Sequence, residues 1–129
     1  MTESLIRLHY FDGYGEAEAI RMLLATKNIP FEDVRYTGEE FLIAQKTGAF
    51  EFGEVPALEM DGVLFSKRDS ILRMLGRQHG LYPVNDHEAA WEIDSILESS
   101  IDFRIQFFKA TVEAEPKLKE ELMHNFVTK

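Results

Sequence analysis

Two short apolar runs, Ala57–Met60 and Val63–Phe65, are separated only by Asp61-Gly62. Both turn residues accept the positive φ of a type I′ turn, so the pattern predicts a β-hairpin. Pro56 opens the first run, where a missing N–H costs no ladder bond. The second run leads straight into a helical pattern, with Ile71, Met74 and Leu75 recurring on one face. Ser66 and Asp69 have the spacing of an N-terminal capping box, and Gly80 is a natural helix stop. The helix N-terminus at Ser66–Arg68 favours an anion, yet most helix N-termini bind only water; the pattern leaves both readings open.

Ahead of the hairpin, Ser4–Tyr10 carries enough β-formers for a half-buried strand, and Phe11–Gly15 reads as a turn. From Glu16 to about Asn28 the chain is predicted helical, with Ala17, Ile20, Leu23 and Leu24 on one face. Asn28-Ile29-Pro30 ends it. Phe31–Tyr36 is a second short strand. Thr37–Gly48 reads as a loop with an irregular helix, whose apolar part is Phe41, Leu42 and Ile43. The order β-α-β-α-β-β-α, with a right-handed crossover, predicts an α/β fold: a mixed four-stranded sheet covered by helices. This is the thioredoxin-like pattern.

Leu81–Val84 is a short linker. Asn85 and Glu88 offer a second capping box before a long helix from His87 to about Thr111. Its apolar residues occupy more than one face: Ile93, Ile96, Leu97, Phe103 and Phe107 on one, Trp91, Ile101, Ile105 and Phe108 further round. Such a helix is expected to be buried on several sides. A last helix is predicted from Glu115 or Pro116 to about Phe126. Two helices leave apolar surface for a partner or further chain to cover. The expected organisation is a thioredoxin-like domain at 1–80, a linker at 81–86, and the start of an all-α domain at 87–129.

Composition narrows the chemistry. The chain has 129 residues, 45% hydrophobic and 29% charged, with no cysteine. Dithiol redox chemistry, thiolate metal sites and cysteine nucleophiles are therefore excluded for this chain. A net charge of −9 disfavours backbone-phosphate binding, so nucleic acid is not expected as a partner. His9, His79, His87 and His124 lack ligand spacing, and no metal site is expected. No apolar run approaches the ~20 residues of a membrane span.

The segments HYFDGYGEAEAIRMLLA at 9–25, FGEVPALEMDG at 52–62 and Ile71-x-Arg73-x-Leu75 resemble the glutathione transferases, in particular those of sigma type. The resemblance covers about residues 5–80 and continues more loosely along the long helix. It implies a cytoplasmic, dimeric enzyme of detoxification that uses glutathione as co-substrate, without a further cofactor, and conjugates it to small electrophiles. On it, Tyr10 matches the tyrosine whose hydroxyl donates to the glutathione sulfur and stabilises the thiolate. Val55 matches the residue whose backbone pairs with the tripeptide, followed by a cis Pro56. Lys46 matches a basic residue at the glycine carboxylate, and Glu92 or Asp94 an acidic group that meets the γ-glutamyl amine across a dimer.

Three departures from the family pattern matter. Glu16 stands where the family has an arginine beside the catalytic tyrosine, and a carboxylate there opposes a thiolate. Lys67-Arg68 replaces the Gln-Ser pair at the γ-glutamyl carboxylate; two cations attract that carboxylate, but their bulk can also fill the pocket. Glu54 adds negative charge at the rim. Two functions follow: a glutathione transferase, or a non-catalytic subunit that keeps the fold for a structural or interaction role.

Overall fold

The structure, a computed structural model, describes residues 5–113 and, beyond them, 116, 117, 120, 121 and 124. The chain divides into two compact units, Met1–Tyr82 and Pro83–Lys129. The first holds a four-stranded mixed sheet in the order β2-β1-β3-β4. Its strands are β1 (Ile6–Phe11), β2 (Glu32–Tyr36), β3 (Ala57–Met60) and β4 (Val63–Ser66). Strand β1 runs parallel to β2, with His9 opposite Val34, and antiparallel to β3, with Leu8 opposite Leu58. The parallel pair is joined through a short 3-10 turn (Gly15–Ala17) and α1 (Glu18–Thr26). The hairpin forms as its dipeptide predicts: Asp61 and Gly62 adopt φ of 51° and 81°.

Because side chains alternate along a strand, the sheet presents two different faces. Ile6 and Leu8 of β1 and Leu58 of β3 point to one, where they form a closed core with Ala17, Ile20 and Leu24 of the first helical segment. Ile71 and Leu75 of α3 (Arg68–Gln78) complete that core, and Tyr10 packs at its margin. The stripe Ala17, Ile20, Leu24 is thus buried as its spacing predicts. The opposite face carries His9, Phe11 and Tyr36, under Phe41 of α2 (Gly38–Lys46) and the buried Phe50.

Four local expectations are corrected. Thr37–Gly48 is not irregular: Thr37 accepts from the Glu40 N–H, the Glu40 carboxylate accepts from the Thr37 N–H, and a regular helix follows. Of its apolar trio only Phe41 packs on the sheet side, while Leu42 and Ile43 are exposed. The box predicted at Ser66 and Asp69 does not form. Ser66 is consumed by β4, opposite Ala57, and Lys67 caps the helix with its backbone at φ 74° and no side-chain cap bond. At the start of α4 (His87–Phe108) the cap is Asp86 in place of Asn85, its carboxylate accepting from the Ala89 N–H.

The fourth correction concerns α4 itself. None of its residues is fully buried, and Trp91 and Ile96 are 67% and 69% exposed. A helix apolar on several faces was expected to be covered; among the described residues it is not. A wider turn over Lys109–Glu113 follows it. The helix predicted to start at Glu115 or Pro116 falls largely outside the described residues. Among the described residues, no helix is long and apolar enough to cross a membrane.

Candidate functional site

Strand β1 delivers Tyr10 to the end of the sheet, and the turn behind it folds back over the phenol. The Glu16 N–H donates to the Tyr10 hydroxyl oxygen over 3.1 Å. Having accepted one bond, that oxygen still carries its own hydrogen to donate. Gly15 makes the approach possible: it sits at φ 39°, and a Cβ there would run into the phenol oxygen.

An ionic network fixes this turn. Arg21 of α1 is only 7% exposed although it lies on the apolar stripe between Ile20 and Leu24. Its Nη1 donates to the Gly13 carbonyl at 2.7 Å and to Glu18 Oε2 at 2.9 Å, and its Nε to Asp33 Oδ1 at 3.2 Å. Its guanidinium lies 5.9 Å from the centre of the Tyr10 ring. Arg35 grips the same Asp33 from the other side and reaches Asp12 at 2.9 Å. The bonds to Asp12 and Asp33 raise the Arg35 pKa above its ordinary value. Both ends of the Asp12–Gly13 turn are thereby tied to cations.

The other sequence-predicted residues occupy the neighbouring loops. The Val55–Pro56 bond is cis. Val55 is half-buried and lies outside the strand ladders, which begin at Ala57. The lead-in to it is tied to α2, because the Gln45 side-chain amide donates to the Gly53 carbonyl at 2.6 Å. Lys46 is exposed in the last turn of α2. Lys67 and Arg68 stand at the start of α3, and each cation already has a carboxylate. Lys67 Nζ pairs with Glu54 and lies 5.0 Å from the Phe52 ring centre. Arg68 Nε donates to Asp69 Oδ1 at 2.6 Å, in a pair largely withdrawn from solvent. Glu16 is exposed, so water screens its charge.

A cleft of about 270 Å³ opens between β4 and α3, lined by Glu51, Ser66, Ser70 and Met74 among others. The Ser66 hydroxyl is buried there with no hydrogen-bond partner among the described residues. Tyr10 does not line this cleft.

Sequence reasoning missed Arg21, Arg35 and Asp33. One signal was visible for the first: an arginine in the middle of the stripe 17-20-21-24 must either break the core or be paired within it. It also missed His9, whose Nε2–H donates to Glu59 at 2.9 Å while Nδ1 lies 2.8 Å from the Tyr36 hydroxyl. No signal could have found that cluster, because its members are 27 and 50 residues apart.

No family model matches the chain. Individual relatives do. The chain is 35% identical over 126 residues to glutathione S-transferase 2 of Caenorhabditis elegans, spanning 95% of this chain and 65% of that protein. It is 36% identical over 116 residues to glutathione S-transferase alpha-4 of Rattus norvegicus, spanning 89% and 51%. Among solved structures, that of prostaglandin synthase D of Nilaparvata lugens aligns with a TM-score of 0.83 at 32% identity, over 95% of this chain and 60% of that one. The chain therefore spans between about half and two-thirds of the length of these relatives. Over that span it carries the fold, the strand-end tyrosine and the Val-Pro hairpin lead-in together, and it belongs to the glutathione S-transferase family.

Proposed function

We propose that this chain supplies the glutathione site of a transferase that joins the glutathione thiolate to small electrophiles. The observation that carries the reading is the Tyr10 hydroxyl, fixed by a main-chain donor and left with one hydrogen to give. Directed at the glutathione sulfur, that hydrogen stabilises the thiolate over the thiol, and the thiolate is the reactive form. The thiol proton leaves to solvent, the sulfur forms a bond to the electrophilic carbon, and the leaving group departs or a double bond takes up the electron pair.

Around Tyr10 the remaining roles are assigned by the same reading. Val55, free of the sheet ladders, pairs its main chain with the cysteinyl part of the tripeptide. The start of α3, with Lys67 and Arg68, faces the γ-glutamyl carboxylate, and Lys46 the glycine carboxylate. The exposed apolar faces of α4 suit the homodimer that the family resemblance implies, and sedimentation at micromolar concentration tests it: a mass of one chain overturns the dimer.

The decisive experiment follows conjugation of glutathione to an activated aryl chloride. Low activity is expected, and Tyr10→Phe is expected to lower it by about 10²-fold, the loss typical of one preorganised donor to an anion. Unchanged activity in Tyr10→Phe overturns the assigned chemistry. Glutathione binding without any turnover, in the wild type and in Glu16→Arg alike, would favour the non-catalytic subunit.

A further inference from the structure

On the sheet face opposite Tyr10, His9 is 8% exposed and makes two side-chain hydrogen bonds. The Glu59 carboxylate accepts from Nε2–H, so in the neutral ring Nδ1 accepts from the Tyr36 O–H. Tyr36 is the last residue of β2, immediately before the cap of α2, and Glu59 lies on β3, three residues after Pro56. His9 therefore bridges the two ends of the segment 37–56, which holds Lys46, Val55 and Pro56.

The bridge matters because α2 has few other anchors. It buries no residue fully, and two of its three large apolar side chains face solvent. What presses the segment on the sheet is an aromatic cluster. The Tyr36 ring stacks on His9 at 5.8 Å and meets Phe41 at 6.3 Å and Phe50 at 6.4 Å, while Phe50 also meets His9 edge-on at 5.8 Å. An element held at so few points shifts when one of them is lost.

We infer that His9 is a positioning residue for the glutathione site: by holding Tyr36 it sets the aromatic platform on which α2 and the Gly53–Val55 lead-in rest. The inference builds on the glutathione reading above. It assigns the Nδ1 branch, to Tyr36, the larger effect on the site, because Tyr36, together with Phe11 and Phe50, packs on Phe41. Both branches join β1 to a strand that its ladder already pairs, and they differ in that Tyr36 belongs to the ring cluster under α2 while Glu59 carries no ring.

Isosteric variants separate the branches. In His9→Asn the amide falls near the position of Nδ1 and keeps a partner for Tyr36; in His9→Gln it falls near Nε2 and keeps one for Glu59. For His9→Gln, His9→Leu and Tyr36→Phe, KM and the calorimetric Kd for glutathione are expected to rise about tenfold, the size of one lost buried hydrogen bond. The rate at saturating glutathione should stay within about twofold, and His9→Asn should recover most of the affinity. Hydrogen exchange without glutathione should show faster exchange of α2 amides in the first three variants and not in His9→Asn. If the wild type binds glutathione and these variants bind equally well, or lose only thermal stability, the inference is overturned and the glutathione reading stands. If the wild type binds no glutathione, both fail.

Discussion

The Glu16 main-chain N–H holds the Tyr10 hydroxyl at 3.1 Å, so the residue whose carboxylate opposes a thiolate also supplies the bond that fixes the tyrosine. The two contributions are separable, since the first belongs to the side chain and the second to the backbone. The Glu16 side chain is exposed. At ~6 Å a like charge costs ~3 kcal/mol at an effective dielectric of 20 but under ~1 kcal/mol in water-like surroundings. On the reading proposed above the screened value applies, so the Tyr10 donor is expected to outweigh Glu16. Glu16→Arg is therefore expected to raise conjugation about threefold at low salt, and the gain should vanish at high salt. A gain of a hundredfold would show that the carboxylate faces inward.

Gly15 offers an independent handle on the same bond. A methyl at this position meets the phenol oxygen, and the positive φ disfavours any side chain. Gly15→Ala is expected to push Tyr10 from its place and to lower the conjugation rate towards that of Tyr10→Phe. In the Tyr10→Phe background the same change should have little further effect, a non-additivity that a double-mutant cycle measures.

Arg21 is expected to matter for stability as well as for the turn. Replacing it by Met removes the buried partner of Asp33, Glu18 and the Gly13 carbonyl together. Breaking such a buried pair costs about 3 kcal/mol, and urea denaturation should show the loss as a lower midpoint at unchanged slope. Arg21→Lys should not restore it, because an ammonium cannot fork between a carbonyl and two carboxylates.

Tyr36 predicts a stability effect at alkaline pH. Burial first, and the Glu59 charge second, raise its pKa above the ordinary 10.0, with Arg7 opposing. The folded chain thus holds the proton that the unfolded chain releases earlier. Stability from this group is complete below pH 10 and is lost as the pH rises from there through the folded-state pKa. Chemical denaturation between pH 9 and 11 should show this loss in the wild type and a flatter profile in Tyr36→Phe.

These residues also show what could be read in advance. The hairpin was legible because Asp61-Gly62 fixes its turn locally, and the stripe at Ala17, Ile20 and Leu24 because a helix repeats its face every 3.6 residues. The Thr37–Glu40 box was equally local, yet three consecutive apolar residues behind it hid the periodicity. Ser66 misled for a tertiary reason: pairing with Ala57 outweighed its capping preference and moved the helix start to Arg68. The exposed faces of α4 reflect the same limit, because pattern shows that a face is apolar and not what covers it. The networks of His9 and Arg21 depend on register between strands, which no single stretch encodes.

The remaining prediction concerns the cations at α3. The family resemblance set Lys67 and Arg68 at the γ-glutamyl carboxylate, either as two attracting charges or as bulk that fills the pocket. In the structure each is already committed, Lys67 to Glu54 and Arg68 to Asp69. A ligand carboxylate that approaches Lys67 must compete with Glu54, whose side chain is half exposed and tethered through a flexible lysine. Such a surface pair contributes ~0–1 kcal/mol, so releasing the lysine should strengthen binding by no more than about fivefold. The Arg68 pair is nearly out of solvent, and removing Asp69 leaves a poorly hydrated cation, which destabilises the helix start instead of freeing a ligand site. Glu54→Gln is therefore expected to tighten glutathione binding a few-fold at low salt, with the gain lost at high salt. Asp69→Asn should lower the denaturation midpoint without tightening binding. Equal behaviour of the two variants in calorimetry would show that Lys67 is not the cation the ligand meets.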